Sequence, residues 1–271
     1  MDIYKKVKLF YKSAKTEKKI IGKSLFGRDI FAVKIGGGAP VGIAQYAIHG
    51  REYITAELAL SHFERGVSKG SVWLIPLVNP DGALLSQVGI ASVRGQRNKN
   101  RLLSQNKGGD FSLWKANGRG VDLNVNFPAR WGTGAKNTLI AGAENYVGAF
   151  PCSEPESAAL KKFTERVHPD YTVSYHTKGE EIYWYFYQST HTCLRDRALA
   201  KALSISTGYP LADAGNSAGG YKDWCIQHLG IPAFTIEAGR EGLSHPLHGD
   251  EALRDIIQKN QSALYDLSKE I

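Results

Sequence analysis

Two rhythms of apolar residues alternate along the chain, and their order predicts the fold. "VGIAQYAI" (residues 41–48) and "SVWLIPLV" (71–78) are nearly continuous apolar runs, as expected of strands buried on both faces. Between them, "YITAELALSHFERGV" carries its apolar positions at helical spacing. Strand, helix, strand in this order is a βαβ unit, so the sheet is at least partly parallel. Further on, "YTVSYHT" and "IPAFTIEAG" predict buried strands, separated by the aromatic run "EEIYWYFY". "SEPESAALKKFTERVHP", "RDRALAKALSISTG" and "DWCIQHLG" predict helices, and residues 250–270 a closing amphipathic helix. Ser153 is placed to cap the first of these, with Glu156 completing a capping box. "GKSLFGRDIFAVKIGGGAP" predicts a strand pair turning near Gly27 and Arg28, and the second buried strand is expected to end in an Asn-Pro-Asp-Gly turn.

Residues 84–150 break both rhythms, being rich in Gly, Asn, Arg and Ser. A loop region this long inside a compact domain is usually functional. At the N-terminus, eight lysines fall within 23 residues, but Ile3, Val7, Phe10 and Ala14 keep a helical period beneath them. That pattern predicts an amphipathic helix with a solvated basic face. The net charge of +8 suits acidic partners, yet no nucleic-acid motif accompanies it, so nucleic acid is not an expected partner. Lysines interrupt any apolar signal core, which predicts a cytoplasmic protein, with spore or cell-wall association also compatible. No stretch approaches the roughly 18 apolar residues of a membrane span. Composition is that of a globular protein, 42% hydrophobic and 22% charged. With no linker or repeat, one domain over residues 1–271 is expected, and a monomer by default. Cys152, Cys193 and Cys225 are too few and too scattered for a disulfide framework or a thiolate metal site, and are expected to be small buried apolar residues.

Reactive side chains fall at three predicted strand tips. His49 and Glu52 follow "AQYAI", His176 ends "YTVSYH", and Glu237 ends "AFTIE". Active-site groups of α/β sheets gather at the carboxyl ends of strands. A His and a Glu three apart are weak by themselves. A catalytic zinc, however, takes three protein ligands, often two His and one Glu, and His176 occupies the matching position. The other histidines lie within helices, at helix ends or in polar loops. His245 and His248 form a second His-x-x-His, but with Pro246 between them a surface loop is expected. Glu237 is the candidate general base for a zinc-activated water.

"IHGREYIT" closely resembles the metal-binding signature of the M14 zinc carboxypeptidases. The resemblance continues in order through "GRDIFAVKIG", "LVNPDG", "GVDLNVNFP", "SEPES", "SYHTKGE", "GGYKDW" and "FTIEAG", across nearly the whole chain. "WKANGRGVDLN", "YHTKGEEIYW" and "GGYKDW" look like the versions in bacterial γ-D-glutamyl-L-diamino acid endopeptidases. The resemblance implies an α/β fold: a mixed, mostly parallel twisted sheet flanked by helices. It implies one Zn2+ per chain on His49, Glu52 and His176, with Glu237 as general base and later proton donor. Arg51 would help to position substrate, and Asn124 matches the asparagine of the Asn-Arg pair that holds a terminal carboxylate in carboxypeptidases. The arginine is missing, because position 125 is Val. Where relatives carry an oxyanion-stabilising arginine stands Lys115, which keeps the charge but not the planar fork. Tyr221 follows the Gly-Gly pair instead of preceding it and receives no catalytic role. Arg240, with Arg51, Lys178 and Arg119, offers cations for the free carboxylates of a peptidoglycan-derived peptide, most simply one carrying γ-D-glutamyl-meso-diaminopimelate. The alternatives are a metallocarboxypeptidase or zinc deacylase on other peptides, and a peptide-binding protein without activity.

Overall fold

A computed structural model describes residues 1–213 and 215–271. Eight strands form one sheet in the order β1-β2-β4-β3-β5-β8-β6-β7. The four central strands, β4 (Ser71–Ile75), β3 (Val41–Tyr46), β5 (Tyr171–His176) and β8 (Ala233–Glu237), are parallel. One edge is completed by β2 (Asp29–Gly36), which runs antiparallel to β4, and by β1 (Lys18–Lys23), which runs antiparallel to β2. At the other edge β6 (Glu181–Tyr183) is antiparallel to β8 and parallel to β7 (Leu211–Ala212). The expected α/β sheet is therefore present, mixed at its margins and parallel where the strands are most apolar.

Helices cover both faces, as a central parallel sheet requires. One core holds Ala44, Tyr46, Leu74, Val173, Tyr175 and Ile236 under α2 (Thr55–Arg65), α6 (Thr190–Thr207), α8 (Asp250–Asn260) and α9 (Ala263–Glu270). The opposite core holds Ile43, Trp73, Ile75 and Ala233 under α5 (Pro155–Val167) and α7 (Tyr221–Trp224). Trp73 and Leu74 are neighbours in sequence and serve opposite cores, which is the two-residue period of a strand. From β3 the chain goes to β4 on one side, while β5 flanks β3 on the other. A crevice opens at the carboxyl ends of strands where the order reverses in this way.

Several local expectations change. The Asn-Pro-Asp-Gly segment opens α3 (Pro80–Val88): Asn79 caps it by accepting from Gly82 N, and Pro80 takes the first turn, where no N–H is needed. The irregular region contains α4 (Gln96–Asn106), whose only buried side chain is Leu102, so it shows almost no apolar period. No capping box forms at α5. Glu154 is the residue at the cap, Ser153 Oγ donates to its carboxylate, and Glu156 turns inward to accept from Leu25 N and Asn117 Nδ2. The closing helix is two, α8 and α9, because the Asn260 carbonyl leaves the helical ladder to accept from His62 Nε2. The N-terminal helix α1 (Ile3–Ser13) buries Ile3 and Val7 and leaves Lys5, Lys8 and Lys12 exposed, as its pattern predicts. Of the cysteines, Cys225 alone is fully buried, and all three are free thiols. Among the described residues no helix is long and apolar enough to cross a membrane.

Candidate metal centre and active site

His49 lies three residues beyond the end of β3, and a 3-10 turn over Gly50–Glu52 folds Glu52 back beside it. The loop is held by backbone. Val78 N and Asn79 N donate to the Tyr46 and Ala47 carbonyls, Gly50 N donates to Lys115 O, and Asn79 Nδ2 donates to Ile48 O and Ala116 O. Thr55 Oγ1 adds a clasp, accepting from Ala47 N and donating to Glu52 O. A side chain at Gly50 would put its Cβ 2.5 Å from the Gly82 carbonyl, so only glycine allows this close approach. His176 and Glu237 end their strands as register partners, which brings both to the same edge.

His49, Glu52 and His176 converge. His49 Nδ1 is 2.9 Å from Glu52 Oε1, His176 Nδ1 is 2.9 Å from Glu52 Oε2, and the two ring nitrogens are 3.1 Å apart. All three side chains are buried, and among the described residues this is the group of His, Cys, Asp and Glu placed to hold a metal. Ligand atoms bonded at about 2.1 Å to a tetrahedral zinc stand ~3.4 Å apart, so the donor set fits that ion closely. On its far side, His49 Nε2 is 3.3 Å from Asp122 Oδ1, the carboxylate–imidazole arrangement that orients a ligand histidine. Asp122 is itself 2.9 Å from Lys115 Nζ. Burial favours the neutral form of Asp122, but Lys115 and then His49 outweigh it and hold the carboxyl well below its usual range. Glu52 follows the same logic: burial raises it, and the two histidines bring it well below the ordinary value. Lys115 stays protonated because Asp122 overcomes the cost of its burial.

Glu237 behaves differently. Burial, reinforced by Glu52 and opposed by His176, pushes its carboxyl up to about 7, where a group can both take and return a proton near neutrality. It opens, with His49 and Lys115, onto a cavity of about 360 Å³ that also exposes Asn124 and Val125. The family model of zinc carboxypeptidases matches residues 7–262, covering this whole arrangement.

The chain belongs to the zinc carboxypeptidase family.

Among its relatives, γ-D-glutamyl-L-diamino acid endopeptidase 1 of Lysinibacillus sphaericus is 32% identical over 239 residues, 81% of this chain and 59% of that protein. Murein peptide amidase A of Escherichia coli is 38% identical over 151 residues, 51% of this chain and 54% of the amidase. The chain spans about three fifths of the length of the first curated relatives it matches. The fold is also that of bovine thrombin-activatable fibrinolysis inhibitor in complex with tick carboxypeptidase inhibitor (TM-score 0.76, 18% identity, 99% of this chain and 96% of that one). It is likewise that of the murein-tripeptide amidase from Escherichia coli O157 (TM-score 0.63, 22% identity, 95% and 94%).

Within this zinc carboxypeptidase fold the expected residues divide into two groups. Lys115, Asn124 and Val125 line the cavity with Glu237. Arg240 does not: it stands on the exposed loop after β8, where Asp255 of α8 draws its guanidinium outward at 3.0 Å. Arg119 pairs with Glu154 and Lys178 with Glu241, while Arg51, mostly buried, reaches Glu144 at 3.3 Å outside the cavity lining. Tyr221 is buried with its hydroxyl on Thr164, consistent with no catalytic role. His245 is not a plain surface residue. It is half-buried with Nδ1 unpartnered, and burial lowers its pKa, with Glu52 opposing and Arg51 and Lys178 adding. Sequence reasoning missed two residues outright. Asp122 sat unassigned inside "GVDLN", two positions from Asn124, and Lys222, inside "GGYKDW", is a cation flanked by residues that read as core.

Proposed function

We propose that the protein is a zinc peptidase that hydrolyses an amide bond in peptidoglycan-derived peptides, most specifically γ-D-glutamyl-meso-diaminopimelate. One zinc on His49, Glu52 and His176 would supply Lewis acidity, polarising the scissile carbonyl and acidifying a water. Glu237 takes the proton of the attacking water and returns it to the leaving amine. Lys115, fixed by Asp122 and protonated, places a positive charge where the tetrahedral oxyanion develops. Asn124 spends its side-chain oxygen on Tyr221 N and keeps its amide N–H groups for substrate. Asp122 fixes the His49 ring through the nitrogen that faces away from the metal.

The observation that carries the substrate assignment is Val125 in the cavity lining. An apolar side chain there cannot hold the terminal carboxylate of an ordinary α-peptide, whereas a γ-linked glutamate carries its free carboxylate elsewhere. The similarity to an endopeptidase and an amidase named for such substrates supports the same choice. Zinc-loaded protein incubated with γ-D-glutamyl-meso-diaminopimelate peptides should release the diamino acid fragment, detected by mass spectrometry, and leave α-linked controls intact. Stepwise loss of C-terminal residues from the α-linked controls would favour a metallocarboxypeptidase instead.

A further inference from the structure

A second compartment of about 270 Å³ adjoins the catalytic cavity and shares Ala135, Asn216 and Ser217 with it. Arg130 and Tyr187 line this compartment and not the cavity. The Arg130 guanidinium carbon stands 3.6 Å from the centre of the Tyr187 ring, so the two groups lie in contact. Both residues have a left-handed backbone, with φ of 47° and 54°, which is uncommon outside glycine. The fold, rather than local preference, holds them there. The stretch that bears Arg130 is tied down at several points: Phe127 N donates to Gly219 O, Trp131 Nε1 to Val147 O, Thr133 N and Oγ1 to Arg130 O, and Ala135 N to Asn216 O. The cations expected around the site each have a carboxylate: Lys115 has Asp122, Arg51 has Glu144, Arg119 has Glu154, Lys178 has Glu241 and Arg240 has Asp255. Lys222, in the cavity wall, has Asp223. Arg130 has none among the described residues, and its side chain donates no hydrogen bond to them. Lys136, further along the same loop and in the cavity wall, is also without a carboxylate among them.

A guanidinium laid on a ring keeps its N–H groups free around its edge, in a planar fork that matches a carboxylate. Holding the fork in place beforehand lowers the entropy lost when a ligand binds. Val125 and Arg130 belong to one stretch of chain, and that stretch packs along both compartments. Phe127 is bonded to Gly219, whose neighbours Ala218 and Gly220 line the second compartment and the cavity respectively. With Val at position 125, no charge there fixes a peptide terminus inside the cavity. We propose that Arg130 binds the terminal carboxylate of a peptide that continues past the diamino residue, its tail leaving the cavity through the second compartment. The bond cut then lies inside the peptide rather than at its end. This proposal rests on the hydrolase reading given above. A compartment of about 270 Å³ has room for one or two small residues, and Asn216 and Ser217 at the junction offer polar groups to the backbone of such a tail.

The test compares γ-D-glutamyl-meso-diaminopimelyl peptides extended by one or by two D-alanines, each as the free acid and as the C-terminal amide. In the zinc-loaded parent, kcat/KM for the acid should exceed that for the amide by about 10-fold at one of the two lengths, the low end for a hydrogen bond to a charged group. The difference should lie in KM, because a contact remote from the scissile bond is the same in the ground and transition states. In Arg130→Gln the acid-to-amide ratio should fall to within about twofold, and a ratio within one variant is independent of how much of it folds. Equal values for acid and amide at both lengths in the parent, or an unchanged ratio in the variant, would overturn the proposal. Failure to cut any γ-D-glutamyl peptide would instead overturn the hydrolase reading. The compartment is then tested without turnover, by calorimetry of the two alanine-extended meso-diaminopimelyl fragments and their amides. One of the acids should bind the parent about 10-fold more tightly than its amide and lose that advantage in Arg130→Gln, whereas equal binding or none to the parent would sink the assignment.

Discussion

Burial raises the Glu237 carboxyl to about 7, while Asp122, still less exposed, is held far below its ordinary range. The difference lies in the neighbours: Asp122 has Lys115 at 2.9 Å, and Glu237 is register partner to His176, with Glu52 adding like charge. Two carboxyl groups with separated affinities suit two tasks, one moving a proton and the other staying charged to hold a ligand ring. Glu237→Gln should therefore abolish turnover with zinc content unchanged by elemental analysis. Lys115→Ala, assayed in parallel, should lower kcat by about 10²–10³-fold, the usual cost of one oxyanion donor. Turnover within a few-fold of the parent in either variant would remove that residue from its role. His49, Glu52, His176 and Glu237 were legible because each follows an apolar run that the sequence marks as a strand. Arg240 was misjudged for the complementary reason. Its position after β8 is visible in the sequence, but the pull of Asp255, fifteen residues on in α8, is not.

At the scale of elements, the metal loop is built by close packing of three backbones. Gly50 touches the start of α3 at Gly82 and the segment at Trp114, whose carbonyl lies 2.7 Å from where a Cβ would stand. Gly50→Ala has to push backbone aside, which typically costs about 1–3 kcal/mol. It should also weaken zinc binding by roughly 10–100-fold, the range seen when the support of ligand residues is disturbed. Chelator competition and thermal melting measure the two effects, and parent-like values in both would show that the loop has room to spare. The βαβ unit and the strands around it were readable because every second or every third to fourth residue meets the same core. The segment from 84 to 150 was not. Its α4 buries one leucine, and the stretches that place Lys115, Asp122 and Asn124 are held by single hydrogen bonds between loops, such as Asp122 N to Tyr146 O and Lys115 N to Ala143 O, which leave no period in the sequence.

Across the whole molecule, carboxylates far from the metal share one polar interior. Glu156 of α5 faces Asp81 of α3, Asn117 of the active-site segment and the Leu25 amide; Asp81 has Arg28 and Glu154 has Arg119, but no cation pairs with Glu156 among the described residues. Burial, then the charge of Asp81, lifts its carboxyl from the ordinary 4.5 to about 7. With the folded affinity for the proton raised above the unfolded one, its stabilising contribution is complete below pH 4.5 and is lost as pH rises to about 7, an upper bound of about 3 kcal/mol. Urea unfolding of the parent should weaken over that window. Glu156→Gln, which cannot ionise, should flatten the curve there, and a variant curve parallel to the parent's would assign the pH dependence to other groups. By itself the sequence determined the βαβ unit and singled out the candidate ligand triad and the candidate general base, because these depend on local period and on residue type at a strand end. Only the tertiary structure decided which cations line the cavity. Lys222 faces the cavity and Arg240 faces solvent because of partners contributed by distant segments, and a side chain's direction is settled by what the fold places beside it.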